Sequence, residues 1–181
     1  MQIYDIVKEK AQSAHDASRL LATTNANVKN RALLAMAQAL LDQADIVLQA
    51  NAKDMEHAQA IGMKNSMQDR LRLTRERICS MAEGLRLVAA LKDPIGEVIG
   101  GQTLSNGLSM TKVRVPFGVV GIIYEARPNV TADAIGLCIK SGNAVVLKGG
   151  SEALHSNAAI VKILSAAATE AGIAEGCIQF I

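Results

Sequence analysis

Two short aliphatic runs constrain this chain more than any other feature. Gly118-Val-Val-Gly-Ile-Ile-Tyr124 and Ala144-Val-Val-Leu147 are too brief for helices and do not alternate, and each is followed by a helical stretch. Unalternating apolar runs of this kind predict strands covered on both faces. Thr131 to Lys140 reads as the first intervening helix. Glu152 to Ala171 reads as a long second one, with Ala159, Ile160, Ile163, Leu164 and Ala167 turned inward and Gly172 closing it. Ile178-Gln-Phe-Ile181 then reads as a third strand. The βαβαβ order predicts a parallel sheet with right-handed crossovers, hence an α/β fold. No helix follows Ile181 to cover the sheet's far side, so partner structure beyond these residues is expected.

Before residue 93 the pattern is helical. From Ile3, the apolar positions Ile6, Val7, Ala11, Ala14, Ala17 and Leu21 make one stripe, and Thr23-Thr-Asn25 breaks it and offers an N-cap. A second helix carries Leu33, Met36, Ala37, Leu40, Leu41, Ala44, Val47 and Leu48 on a single face. A third, around Ala52 to Ile61, stops at Gly62. A fourth follows Thr74 with Ile78, Met81, Leu85, Val88 and Leu91, and ends at Pro94 and Gly96. Asp93 to Gly107 reads as a loop closed by the hairpin signal Asn106-Gly107. Leu108 to Val115 alternates roughly with period two, as an exposed strand or hairpin arm would.

Composition excludes several classes. Half the residues are hydrophobic, so a core can form. Nineteen Lys plus Arg against 17 Asp plus Glu leave a net charge of only +2, and there are two Phe, two Tyr and no Trp. A nucleic-acid binder would need a concentrated basic face and stacking rings, so no nucleic-acid partner is expected. The three cysteines and three histidines are scattered, without CxxC or HExxH spacing, so neither a disulfide framework nor a metal site is expected. The amphipathic start MQIYDIVKEKAQ is not a signal peptide, and no apolar stretch has the length of a membrane span. The expected setting is the cytoplasm, with no membrane partner.

Candidate chemistry gathers beyond the carboxyl ends of the two strands, where ligands bind in open α/β sheets. One end is Tyr124-Glu-Ala-Arg-Pro-Asn-Val-Thr131. There Asn129 can donate its amide to a developing oxyanion or merely cap the helix, and Arg127-Pro128 stiffens the backbone before it. The other is Lys148-Gly149-Gly150-Ser151-Glu152. Its glycines admit a phosphate, its lysine supplies charge, and the following helix offers N–H donors and a positive dipole. The alternative is a plain glycine turn with a solvated lysine. GxGxxG and GxxxxGK[ST] are both absent. Cys79, Cys138 and Cys177 all sit among apolar neighbours and read as buried, inert thiols.

Val113-Arg-Val-Pro-Phe-Gly-Val-Val-Gly-Ile-Ile-Tyr-Glu-Ala-Arg-Pro-Asn-Val-Thr131 resembles the gamma-glutamyl phosphate reductase family of the aldehyde dehydrogenase superfamily. Lys140-Ser-Gly-Asn-Ala-Val-Val-Leu-Lys-Gly-Gly-Ser-Glu-Ala153, Asp69-Arg-Leu-Arg-Leu-Thr74 and Leu91-Lys-Asp-Pro-Ile-Gly96 resemble it too. The resemblance implies an aldehyde-dehydrogenase-like chain. Residues 1–107 would be an N-terminal helical segment with a loop. Residues 108–181 would be an incomplete, Rossmann-like nucleotide-binding segment, with 108–115 a strand or an arm for a homo-oligomer. It implies NADPH-dependent reduction of an acyl phosphate, L-glutamate 5-phosphate, to the semialdehyde in proline biosynthesis. The NADPH/NADP ribose and its phosphate would lie at Lys148 to Glu152, and Asn129 would be the oxyanion donor. The family's nucleophilic cysteine lies in a later segment resembling GGIGVC, which this chain lacks, so the chain alone is expected to be inactive. A non-catalytic nucleotide-binding or structural fragment stays open beside that reading.

Overall fold

The computed structural model describes residues 3–181; Met1 and Gln2, the first of the expected 1–107 segment, lie outside the described residues. Five helices come first: α1 (Ile3–Leu21), α2 (Ala26–Asp42), α3 (Ala44–Ala60), α4 (Asn65–Leu71) and α5 (Arg75–Ala90). Their caps are local sequence effects. Asn25 accepts from the Val28 N–H at 3.1 Å to start α2, and Thr74 accepts from the Arg77 N–H at 3.3 Å to start α5. Gly62 ends α3 at φ +67°, where the Met63 N–H reaches back to the Ala58 carbonyl at 2.9 Å.

Two helix boundaries differ from expectation. The stripe from Leu33 to Leu48 is divided between α2 and α3 at Gln43, whose N–H bonds to the Ala39 and Leu41 carbonyls. Leu40, Ala44 and Val47 lie in one core on either side of that break, so the apolar period runs through it and no glycine or proline marks it. The third expected helix is therefore the second half of α3. The short α4 escaped notice because Leu71 is its one buried residue.

The predicted loop at 93–107 contains β1 (Val98–Thr103), which pairs antiparallel with β2 (Ser109–Val113). The turn between them is the expected Asn-Gly hairpin. Gly107 takes φ +86° and Asn106 Oδ1 accepts from the Leu108 N–H at 3.1 Å. Every residue of both strands is exposed, so burial gave the sequence no alternation with which to announce β1.

The α/β half follows as β3 (Val119–Ile123), α6 (Pro128–Lys140), β4 (Ala144–Lys148), a single 3-10 turn at Ser151–Ala153, α7 (Leu154–Glu170) and β5 (Ile178–Phe180). The three strands are parallel in the order β3-β4-β5. The central strand β4 is buried from Ala144 to Leu147. β3 corrects the expectation of a strand covered on both faces. It is an edge strand, half-buried or exposed throughout, with Ile123 85% exposed. The nearby Phe117 is 92% exposed. The strand keeps its apolar composition although its outer face is bare among the described residues.

One large apolar core joins α1, α2, the start of α3, α5, α6, α7 and the sheet. It also holds charge. Lys29, 1% exposed, pairs with Asp93 at 2.5 Å. Lys140 ends α6 and donates to Asn30 Oδ1 at 2.7 Å and the Ala89 carbonyl at 2.9 Å. Burial lowers the Lys140 pKa, the Asp93 carboxylate opposes that, and the neighbouring Lys29 charge adds to it. A second small cluster, Ala58, Leu71 and Ala153 with Met55, Met63 and Ala126, pins the α4 end beneath the turn after β4.

Candidate active site

The sheet brings both sequence-predicted loops to one edge. The Tyr124 N–H donates to the Lys148 carbonyl at 3.1 Å, so the segments leaving β3 and β4 run side by side. Gly150 lies against Ala126, where a Cβ on Gly150 would stand 3.1 Å from the Ala126 nitrogen. Below them, the Tyr124 hydroxyl lies 2.7 Å from Thr131 Oγ1, which donates to Asn157 Oδ1 at 2.9 Å. Burial raises the Tyr124 pKa, and the Thr131 bond partly offsets it. Asn157 is fully buried and its Nδ2 has no partner among the described residues.

The glycine loop follows β4 and is packed closely against its neighbours. Gly149 is buried and the protein's own packing leaves no room for a side chain: a Cβ there would meet Asn157 Nδ2 at 2.2 Å. The first N–H groups of α7 are engaged as well. The Asp54 carboxylate, 2% exposed on α3, accepts from the His155 N–H at 3.1 Å and the Ser156 N–H at 2.7 Å. It also accepts from Ser156 Oγ at 2.6 Å. A carboxylate at a helix N-terminus is a favourable placement, and here an internal anion fills it. The loop offers a ligand the exposed side chains of Lys148 and Ser151, and Glu152, whose Oε2 lies over Gly150. An ammonium and a carboxylate flanking one turn suit the ribose hydroxyls and phosphate of a dinucleotide, so these residues fit an NAD(P)-type cofactor.

Beside that loop lies a cavity of about 350 Å³ lined by Met67, Arg70, Glu125, Ala126 and Glu152. Arg70 also lines a neighbouring cavity of about 430 Å³, walled by Arg72, Arg77, Arg127, Asn129 and Asp133 among others. This arginine cluster was missed from sequence. Its signal was the alternation in Asp69-Arg-Leu-Arg-Leu-Thr74, in which Leu71 and Leu73 are buried and Arg70 and Arg72 exposed. Asn51 enforces it by donating to the Leu71 carbonyl at 2.9 Å and accepting from the Leu73 N–H at 2.8 Å. Arg77 holds the same segment from α5, donating to the Arg72 carbonyl at 2.7 Å and pairing with Asp69 at 3.2 Å.

Asn129 is exposed at the second position of α6, behind Pro128. It does not cap the helix. Arg127 occupies the cap position without a side-chain bond, and Asn129 makes no side-chain hydrogen bond among the described residues. Its amide is therefore available to the cavity. Partial burial raises the Asp133 carboxyl pKa one turn further along.

The thiols behave differently from one another. Cys138 and Cys177 are buried and burial pushes each up to about 11. Cys79 corrects the expectation of three buried thiols, because it is exposed on α5. The apolar neighbour Ile78 that suggested burial faces the core, whereas Cys79 is turned about 100° from it. Cys79 lies about 200° around the helix from Arg77, away from the face that lines the arginine cavity. A maleimide or disulfide reagent at neutral pH is expected to modify Cys79 alone in the folded chain. Cys138 and Cys177 should react only on addition of denaturant, as read by intact mass.

The aldehyde dehydrogenase family matches this chain over residues 4–181. The gamma-glutamyl phosphate reductase of Caldanaerobacter subterraneus subsp. tengcongensis is 54% identical over 175 residues, 97% of this chain and 42% of the relative. That of Heliobacterium modesticaldum is 54% identical over 181 residues, all of this chain and 43% of the relative. The crystal structure of gamma-glutamyl phosphate reductase from Thermotoga maritima superposes with a TM-score of 0.93 at 43% identity, covering 96% of this chain and 42% of that one. The chain thus spans about two fifths of the length of the curated relatives it matches. On a match that takes in all but its first three residues, the chain belongs to the aldehyde dehydrogenase family, and within it is similar to gamma-glutamyl phosphate reductases.

Proposed function

We propose that these residues form the cofactor edge and one substrate wall of a cytoplasmic, NADPH-dependent reductase that converts L-glutamate 5-phosphate to L-glutamate 5-semialdehyde in proline biosynthesis. The observation that carries the reading is the meeting of the Tyr124–Asn129 and Lys148–Glu152 segments at the carboxyl edge of a parallel sheet, beside an arginine-lined cavity. The 54% identity to named gamma-glutamyl phosphate reductases supports the choice of substrate. Bound NADPH supplies the hydride. Lys148 and Ser151 hold the adenosine phosphate and ribose, with Glu152 accepting from ribose hydroxyls across the Gly149-Gly150 turn. Because Asp54 already uses the α7 N–H groups, the cofactor's charge falls on Lys148. Asn129 donates its amide to the acyl oxygen as negative charge develops there.

Covalent catalysis needs a thiolate within reach of the acyl carbon. Two of the three thiols are buried and the third faces away from the cavity, which favours binding without turnover by these 181 residues alone. The fully exposed β1–β2 ribbon is the arm through which a second copy would pair.

NADPH fluorescence on the purified chain tests the cofactor reading. Saturable binding is expected, weakened about tenfold by Lys148→Ala, the loss of one charge-assisted contact. Affinity unchanged by that substitution, or no saturable binding, would remove the loop from the site.

A further inference from the structure

The charges in the arginine cavity are not equivalent. Arg77 is tied to Asp69 and the Arg72 carbonyl. Arg70, Arg72 and Arg127 have neither an ion pair nor a side-chain hydrogen bond among the described residues, and the same holds for Asp133. Asp133 Oδ1 faces α5 at Gly84, 3.5 Å from where a Cβ there would lie. The cavity therefore offers three uncommitted guanidiniums and one uncommitted carboxylate. Guanidiniums gathered in a concave site attract anions. A carboxylate among them gains a partner when the ligand brings a cation to that spot.

Spacing adds a length to this charge pattern. Asn129 and Asp133 are four residues apart on α6 and line the same cavity. They share a helix face, about 6 Å apart along the axis at 1.5 Å per residue. In an extended glutamyl skeleton, four bonds separate the acyl carbon from the α-nitrogen, which is about 5 Å with bonds near 1.5 Å. An aspartyl skeleton has one bond fewer and falls more than about 1 Å shorter.

The geometry points to this cavity as the seat of an α-amino acid whose side chain ends in an acyl phosphate. Its acyl oxygen lies at Asn129, its α-ammonium at Asp133, and its two anionic groups on Arg70, Arg72 and Arg127. The choice of ligand rests on the reductase reading, while the charge and length requirements rest on the cavity itself. Arg77 is a positioning residue: with Asn51 it fixes the backbone that presents Arg72. Asp133 sets selectivity for an amino acid over a plain phosphorylated acid, and the one-turn spacing selects the glutamyl length.

Calorimetric titration of the 181-residue chain tests this with three stable phosphonates. L-2-Amino-6-phosphonohexanoate matches the glutamyl phosphate length, 6-phosphonohexanoate lacks the amine, and L-2-amino-5-phosphonopentanoate is one carbon shorter. The first is expected to bind most tightly. Arg72→Gln and Arg127→Gln should each weaken it about tenfold, as loss of a charged hydrogen bond does. Arg72→Lys should fall between, since it keeps charge but not the bidentate fork. Asp133→Asn should erase the preference for the amino over the des-amino probe without weakening the latter, a readout that a purely structural role would not give. Melting curves confirm that each variant is folded. No binding of the six-carbon amino probe at millimolar concentration would overturn the assignment. So would binding indifferent to Arg72 and Arg127, or equal loss of both six-carbon probes in Asp133→Asn. The two readings fail separately. NADPH binding that depends on Lys148, without phosphonate binding, removes the cavity assignment and leaves the cofactor reading. Phosphonate binding with the stated dependences, but no NADPH binding, does the reverse.

Discussion

Asp54→Ala is expected to destabilise the chain by roughly 3–5 kcal/mol, the range for removing one partner from a buried charged network. Asp54 is 2% exposed and accepts four hydrogen bonds from the start of α7: the His155 and Ser156 N–H groups, His155 Nδ1 at 2.7 Å and Ser156 Oγ at 2.6 Å. Alanine would leave the Ser156 N–H and hydroxyl buried without an acceptor. Asn51 would still reach Ser156 Oγ at 3.0 Å, so part of the network survives. Ser156→Ala, which removes a donor and leaves the carboxylate three other partners, should cost only about 1 kcal/mol. Urea unfolding of the two variants and the parent measures both. An Asp54→Ala midpoint equal to that of the parent would mean that α7 is not held from α3. Because α7 follows the Lys148–Glu152 loop directly, the same variant should also weaken NADPH binding.

Gly149→Ala should cost about 3 kcal/mol by overpacking, at a position where the glycine's conformation is not the issue. Gly149 does not have a positive φ, so alanine is excluded by contact and not by backbone strain. The added Cβ would stand 2.2 Å from Asn157 Nδ2 and 3.3 Å from Tyr124 Cζ. Asn157 is fully buried and held by Thr131, so it cannot step aside cheaply. Asn157→Ala by itself removes the Thr131 partner but also the unpaired Nδ2, and should cost less than Gly149→Ala. In the double variant the two losses should add to less than their sum, because the clash disappears with the amide. Denaturant unfolding of the four proteins in the cycle gives the coupling. Strict additivity would mean that Gly149 is required for some reason other than Asn157.

The parallel sheet and most helix positions were legible because each rests on a pattern within a few residues: apolar runs at β3, β4 and β5, Asn25 and Thr74 as caps, Gly62 and Gly172 as stops. What stayed hidden depends on distant partners or on missing burial. The break at Gln43 leaves the apolar period unchanged. β1 is exposed on both faces and so carries no pattern. β3 has the composition of a covered strand, but its outer face is bare among the described residues. In the site, the segments leaving β3 and β4 were legible as strand ends, and the structure sets Tyr124 beside Lys148 and Ala126 beside Gly150. The role of the glycines was not legible. It depends on Asn157, and the engagement of the α7 N–H groups depends on Asp54, about a hundred residues earlier in the chain. The arginine cavity joins residues 69–81 to residues 127–133, a juxtaposition that no local pattern records.

The most direct test of the account is a chimera in which these 181 residues replace the matching stretch of the Caldanaerobacter reductase. It is assayed with L-glutamate 5-semialdehyde, phosphate and NADP⁺ by following NADPH absorbance. The account predicts NADPH formation that requires both semialdehyde and phosphate. It predicts loss of turnover by about a hundredfold in Asn129→Ala, the scale of one oxyanion donor, and a raised KM for NADP⁺ in Lys148→Ala. A folded chimera that binds NADP⁺ yet forms no NADPH would contradict it, as would one that turns over unchanged in both variants.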